Sequence, residues 1–179
     1  MYTYGSVPFI FKALVFMNHN SFSKGNIMAK LNVGDKAPSF SLSSQDDKVV
    51  SLSDFEGKKV LLYFYPKADT PGCTKQSCSI RDAAQELTKL GASAIGISPD
   101  KPTKQKKFND KYSLGFPLLS DPDHKTAKAY GAWGKKSMYG KTYDGIIRSS
   151  FVIDGEGKIV QASYKVKPLE TVPNATEVL

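Results

Sequence analysis

The sequence is poor in the residues that staple or metallate small proteins: two Cys and two His in 179 residues. A disulfide framework is excluded by count, and so are most closed zinc sites. A chain of this length buries roughly two-thirds of the surface its unfolded form exposes, so it needs neither in order to fold. Arginine is nearly absent too. Only Arg81 and Arg148 occur among 25 basic residues. Specific nucleic-acid recognition leans on guanidinium forks, so the net charge of +8 reads as solvated surface lysine and no nucleic-acid partner is expected. No apolar run reaches 18 residues, and no membrane partner is expected. A hydrophobic content of 40% with 23% charged residues is too apolar for a disordered chain and suits one globular domain.

Acids are missing from residues 1–29; the first is Asp35. The apolar residues there fall into two runs, 7–11 and 13–17, split by Lys12. A secretory signal has basic residues first, an unbroken apolar core and a small-residue cleavage site, and a transit peptide is rich in Arg. This segment matches neither. It reads as an extension outside the fold, with Met28 as a possible start, as a targeting segment, or as a structural element. The expected division is an extension over 1–29 and one domain over 30–179. The expected location is cytoplasmic, or an organelle if 1–29 is a targeting segment.

From Leu31 the pattern is that of an α/β protein. Residues 39–43 (SFSLS) alternate as a strand, with 49–52 as the hairpin partner. Residues 59–65 (KVLLYFY) form a continuous β-rich run, as for a strand buried on both faces, and Pro66 ends it. Ile80, Ala83, Ala84, Leu87 and Leu90 recur at helical spacing within 71–90, and Gly91 follows as a stop. A strand over 93–98, a Lys-rich helix over 103–112 and a short strand over 117–119 come next. One or two helical turns over 125–130 precede a Gly- and Lys-rich loop over 131–141. Residues 146–154 and 158–164 form a hairpin around Gly155-Glu156-Gly157. A short helix is expected at about 174–179. The alternation argues a central mixed sheet with helices on both faces.

The chemistry concentrates in residues 66–78, PKADTPGCTKQSC. A buried strand feeds directly into a helix start, where Thr70 suits the N-cap and Pro71 the first helical position. Cys73 then falls in the first turn, where unpartnered N–H groups and the helix dipole favour a thiolate, the reactive form of cysteine. The plain alternative is a cysteine packed as a small hydrophobe. Cys78 lies five residues on in the same helix. On a regular helix the two Cα atoms stand ~8.7 Å apart, beyond the ~7 Å that a disulfide spans. Either Cys78 is an inert core residue, or the helix start unwinds and Cys78 resolves an oxidised Cys73. The spacing fits neither a C-x-x-C dithiol nor a zinc knuckle. Arg81, followed by Asp82, reads as a structural ion pair, and His124 as a turn residue.

Pro66-x-x-x-Thr70-x-x-Cys73 resembles the active-site signature of the peroxiredoxins. The wider run YFYPKADTPGCTKQSCSIRD is similar to the PrxQ branch, also called bacterioferritin comigratory protein. The similarity runs from about Leu31 to Val160 and includes SDPDHKTAKAYGAWG and IIRSSFVIDGEGKI. It implies a thioredoxin-like fold and an antioxidant peroxidase that reduces hydrogen peroxide and organic hydroperoxides without cofactor or metal. In that reading Cys73 is the peroxidatic and Cys78 the resolving cysteine. Thr70 and Arg148 hold the peroxide and Pro66 shields the pocket. Thioredoxin or a similar dithiol reduces the intrachain disulfide, and the protein acts as a monomer. The chemistry is coherent: Cys73 N–H, the Thr70 hydroxyl and the Arg148 guanidinium can all aim donors at the breaking O–O bond. Thr70 cannot give its hydroxyl both to the helix and to a substrate, and the substrate-facing role is expected. The rival function is a protein disulfide oxidoreductase or redox sensor using the same cysteine pair.

Overall fold

Successive residues of a strand point to opposite faces, and from Val60 to Tyr65 both faces are buried. Val60, Leu62 and Phe64 enter one apolar cluster, Leu61, Tyr63 and Tyr65 the other. The computed structural model describes residues 30–138 and 140–179; the readings made for 1–29 lie outside them. The strands are β1 (Ser41–Ser44), β2 (Val49–Ser51), β3 (Lys59–Phe64), β4 (Ala92–Ser98), β5 (Leu118–Ser120), β6 (Trp133–Met138), β7 (Lys141–Ile146), β8 (Ser149–Ile153) and β9 (Ile159–Tyr164). The helices are α1 (Pro71–Asp82), α2 (Ala84–Lys89), α3 (Pro102–Tyr112), α4 (Lys125–Ala129) and α5 (Thr171–Thr176).

Seven strands form one sheet in the order β2-β1-β5-β4-β3-β8-β9. β4 is parallel to β3 and β5, while β8 and β1 run antiparallel to their neighbours, so the sheet is mixed as expected. Ile80 of α1, Leu87 of α2, Phe108 of α3 and Ala175 of α5 join the cluster of Tyr63 and Tyr65. Ala127 of α4 and Tyr130 join Phe64 and Phe151 in the other. Each large apolar side chain buried this way contributes roughly 1.5–3 kcal/mol.

Three expectations require correction. The helix over 71–90 is two helices, broken at Ala83, whose backbone leaves the helical region at φ −87° and ψ 3°. The loop over 131–141 contains β6, which pairs with β7 as a separate two-stranded ribbon from Trp133↔Ile146 to Met138↔Lys141. Backbone pairing there overrides a composition that reads as loop. The strand expected over 146–154 is accordingly interrupted at 147–148. The terminal helix is α5 after a 3-10 turn, Pro168–Glu170, instead of 174–179; Pro173 is tolerated because it lies in the first turn. No helix among the described residues is long and apolar enough to cross a membrane.

Candidate active site

The site forms where β3 ends. Pro66 is half-buried just past the strand, and the loop 67–70 leads into α1. Thr70 is the N-cap, extended at φ −109° and ψ 151°. Its carbonyl accepts the Thr74 N–H at 2.8 Å, but its side chain makes no capping bond. The hydroxyl instead donates to Lys67 O at 3.0 Å. The hydroxyl of Thr70 therefore makes no capping bond to the helix. Its one hydrogen is used, however, so toward a ligand it is an acceptor, where the sequence suggested a donor.

Cys73 occupies the third position of α1 and is 1% exposed. Its N–H has no partner among the described residues. Arg148 lies in the two-residue link between β7 and β8. Ser149 pairs with Phe64, so Arg148 stands one step further on, beside the chain as it leaves β3. Its Nη2 donates to Cys73 Sγ at 3.3 Å. The approach depends on Gly72, where a Cβ would meet that same Nη2 at 3.2 Å. The other arm, Nη1, donates to Gln76 Oε1, and Gln76 Nε2 donates to Thr171 Oγ1 at 2.8 Å. Gln76 and Thr171 are both fully buried. The guanidinium is thus fixed on both arms, one on the thiol and one on a side chain held by α5.

Behind Cys73 lies a second polar contact. The Tyr63 and Ser77 hydroxyls share a hydrogen bond of 2.8 Å in full burial. Burial raises the Tyr63 phenol well above its ordinary pKa, so it stays protonated. Gly96 makes room for it, since a Cβ there would stand 2.7 Å from Tyr63 Oη. Cys78 is half-buried in the same helix and packs against the Tyr63 cluster. Both cysteines are free thiols. Because α1 is continuous from Pro71 to Asp82, the ~8.7 Å separation of their Cα atoms stands.

The structure therefore brings Cys73 and Arg148 into contact, with Thr70 at the start of the same helix, Pro66 nearby and Cys78 unbridged further along. Gln76, Thr171, Tyr63 and Ser77 were not legible as site residues. Gln76 and Ser77 do follow Cys73 by three and four positions, the spacing of one helix face. Arg81 pairs with Asp82 as expected, at 2.8 Å, and also donates to Tyr112 O at 2.7 Å. His124 is a turn residue in the left-handed region at φ 58°. A groove of about 530 Å³ between Phe55, Lys58, Ile153 and Gly155 lies at the opposite end of β3 and holds none of these residues.

A buried cysteine at a helix start, on a thioredoxin-like sheet and under an arginine, is the arrangement of a thiol-based redox site. The AhpC/TSA family pattern matches residues 33–162, and the chain belongs to that family. Its relatives place it among the Bcp/PrxQ peroxiredoxins. It is 56% identical over 132 residues to peroxiredoxin Bcp of Escherichia coli, covering 74% of this chain and 85% of the relative. The crystal structure of peroxidoxin BcpB from Mycobacterium tuberculosis superposes with a TM-score of 0.74 at 35% identity, covering 83% of this chain and 96% of that one. A Xanthomonas campestris bacterioferritin comigratory protein, studied for alkyl peroxide reduction, gives 0.73 at 34% identity over 78% and 89%.

Proposed function

We propose that Cys73 is the sulfur that attacks the peroxide in this thiol peroxidase, and that Cys78 resolves the product. The observation that carries the reading is the Arg148 Nη2 to Cys73 Sγ contact of 3.3 Å at a buried helix start. The thiolate attacks the terminal oxygen of R–O–OH. An S–O bond forms, the O–O bond breaks, and RO⁻ leaves to take a proton as ROH. Arg148 and the Cys73 N–H stabilise the charge that develops on the oxygens. Thr70 Oγ1 accepts the hydrogen of the attacked oxygen and so fixes its orientation. Pro66 shields the pocket from water.

Cys73 is then a sulfenic acid, and Cys78–SH condenses with it to a disulfide with release of water. A dithiol, thioredoxin in this reading, restores both thiols by exchange and is itself oxidised. Recycling by a dithiol suits a reducing compartment such as the cytoplasm. Both cysteines lie on α1, so resolution needs no second copy, and the protein is read as a monomer. The rival, a protein disulfide oxidoreductase, is disfavoured because a sulfur only 1% exposed admits a small peroxide far more readily than a protein disulfide.

The test is to mix reduced protein with one equivalent of hydrogen peroxide and weigh it. A loss of about 2 Da, the two thiol hydrogens, with consumption of the peroxide is the expected outcome. Cys73→Ser should consume none. Cys78→Ser should complete one turnover and stop as a sulfenic acid. Full thioredoxin-supported turnover by Cys78→Ser would remove the resolving role.

A further inference from the structure

In the loop 67–70, which carries the chain from β3 to α1, one peptide unit is bonded at both ends. Its carbonyl, that of Lys67, accepts the Thr70 hydroxyl at 3.0 Å. Its N–H, that of Ala68, donates to Asp100 Oδ2 at 2.6 Å. A peptide unit is planar and trans, so its C=O and N–H point in opposite directions. Whatever holds the N–H therefore aims the C=O. The Ala68 N–H is the one backbone donor of 67–70 with a partner among the described residues. Ala68 itself is buried.

Asp100 lies two residues past the end of β4, and its side chain is 12% exposed. Both of its oxygens are engaged. Oδ2 also accepts the Ser98 hydroxyl at 3.1 Å, and Oδ1 takes the Lys104 ammonium at 2.6 Å. Ser98 is held in turn by the buried Gln105, whose Nε2 donates to its oxygen at 3.0 Å. The carboxylate cannot turn away from Ala68 without breaking these contacts. A carboxylate on the N–H makes a charge-assisted bond and polarises the peptide, which strengthens its carbonyl as an acceptor. That carbonyl holds the single hydrogen of the Thr70 hydroxyl and leaves the lone pairs of its oxygen for a ligand.

We propose that Asp100 is a positioning residue for peroxide reduction. Through the peptide of Lys67 and Ala68 it sets the direction and the acceptor strength of the Thr70 hydroxyl. It acts through Thr70 and not on the reacting atoms, and the chemistry at Cys73 is unchanged. The proposal rests on Cys73 being the attacking sulfur and on Thr70 facing the peroxide.

The experiment is a double-mutant cycle on Asp100 and Thr70, read as the rate of Cys73 oxidation by hydrogen peroxide in quenched flow. Asp100→Ala should slow the reaction about tenfold, the scale of one charge-assisted contact. Thr70→Val keeps the shape and removes the hydroxyl, and on that background Asp100→Ala should change the rate by less than about twofold. Alkylation of Cys73 by iodoacetamide, followed on its peptide by mass, makes no use of the Thr70 hydroxyl. It should proceed alike in Asp100→Ala and wild type, because Arg148 still holds the sulfur. Asp100→Asn keeps an acceptor for the Ala68 N–H and should recover most of the loss. Should Asp100→Ala not fold, Asp100→Ser takes its place in the cycle; its oxygen is one bond nearer the backbone and falls short of Ala68. A wild-type oxidation rate in Asp100→Ala overturns the proposal. So does equal slowing on both backgrounds, an alkylation rate that falls along with oxidation, or an Asp100→Asn protein as slow as Asp100→Ala. Thr70→Val reacting at the wild-type rate would instead remove Thr70 from the site reading, and the proposal with it.

Discussion

Arg148 holds two partners with two arms of one rigid fork, the Cys73 sulfur at Nη2 and Gln76 at Nη1. A lysine ammonium is a single point charge on a flexible stem and cannot occupy both positions. Arg148→Lys should therefore lose most of what Arg148→Ala loses, about two orders of magnitude in the rate of Cys73 oxidation. An Arg148→Lys protein reacting at the wild-type rate would show that charge alone suffices. Gln76 orients the fork through its own bond to Thr171. Gln76→Ala strands the buried Thr171 hydroxyl and one arm of the half-buried Arg148, so the protein should be less stable by about 1–3 kcal/mol. Its peroxide reaction should slow by about tenfold, as one charge-assisted contact is lost; urea unfolding and quenched flow measure the two effects. An unchanged oxidation rate would mean that the backbone of Arg148, whose carbonyl accepts the Val166 N–H at 3.1 Å, positions the fork by itself. At this scale the sequence is uneven. Thr70, Pro71 and Cys73 announce themselves because strand, cap and helix start are written in consecutive residues. Gln76 does not, because a glutamine reads as surface until a buried partner is known.

The helix α1 must lose its regular form if its two sulfurs are to meet, and what resists is polar. Its apolar spacing begins at Ile80, which suggests that the first two turns have little packing to lose. The structure corrects this: Gln76 and Ser77 are fully buried, and Ser77 is tied to Tyr63. The two ends of the segment that must move are held by one residue of α3. Tyr112 Oη donates to Asp69 Oδ1 at 2.8 Å just before α1, and Tyr112 O accepts from Arg81 near its end. Unwinding between these anchors can leave both in place. The break at Ala83 further uncouples α1 from α2; no Gly or Pro marks it in the sequence, so it was not legible there. Likewise β6 reads as loop, since its glycine and lysines favour no strand and only pairing with β7 makes it one. Tyr63→Phe removes the buried partner of Ser77 and should weaken the first turns by about 1 kcal/mol. Amide exchange over about residues 72–80 should then quicken in the reduced protein, and disulfide formation should accelerate more than the oxidation that precedes it. In the wild-type protein, oxidation should raise exchange over the same residues and spare 84–89. Protection that is equal in Tyr63→Phe and wild type would show that Ser77 does not latch the helix.

At the scale of the whole molecule, the mixed sheet and its helices are legible in the alternation of apolar runs, because β3 and β4 carry their hydrophobicity on both faces and so have to lie inside. What composition leaves open is whether one copy suffices and where the fold begins. Among the described residues the large exposed apolar side chains, Val33, Val49, Tyr143, Leu169 and Val178, are scattered over different elements. Such singly exposed residues do not make an interface. The proposed monomer is checked by sedimentation, where a species of 19.6 kDa is the expected outcome and one of twice that mass would overturn it. The described fold starts with its own anchors: Leu31 N–H donates to Tyr164 Oη at 2.7 Å, Gly34 N–H to Ile159 O at 2.8 Å and Ala37 N–H to Gly157 O at 2.9 Å. The first of these ties the chain to β9 within two residues of position 29, and the family pattern begins at residue 33. Lys12 and Lys24 are the only Lys, Arg, Asp or Glu within residues 1–27, so removing that segment takes the formal charge from +8 to +6. That shift is too small to alter the encounter with a neutral peroxide. The deletion variant should match the full chain in melting temperature and in the rate of Cys73 oxidation. A melting temperature lower by several degrees would mean that the segment packs on the domain, and that the boundary at residue 30 is drawn in the wrong place.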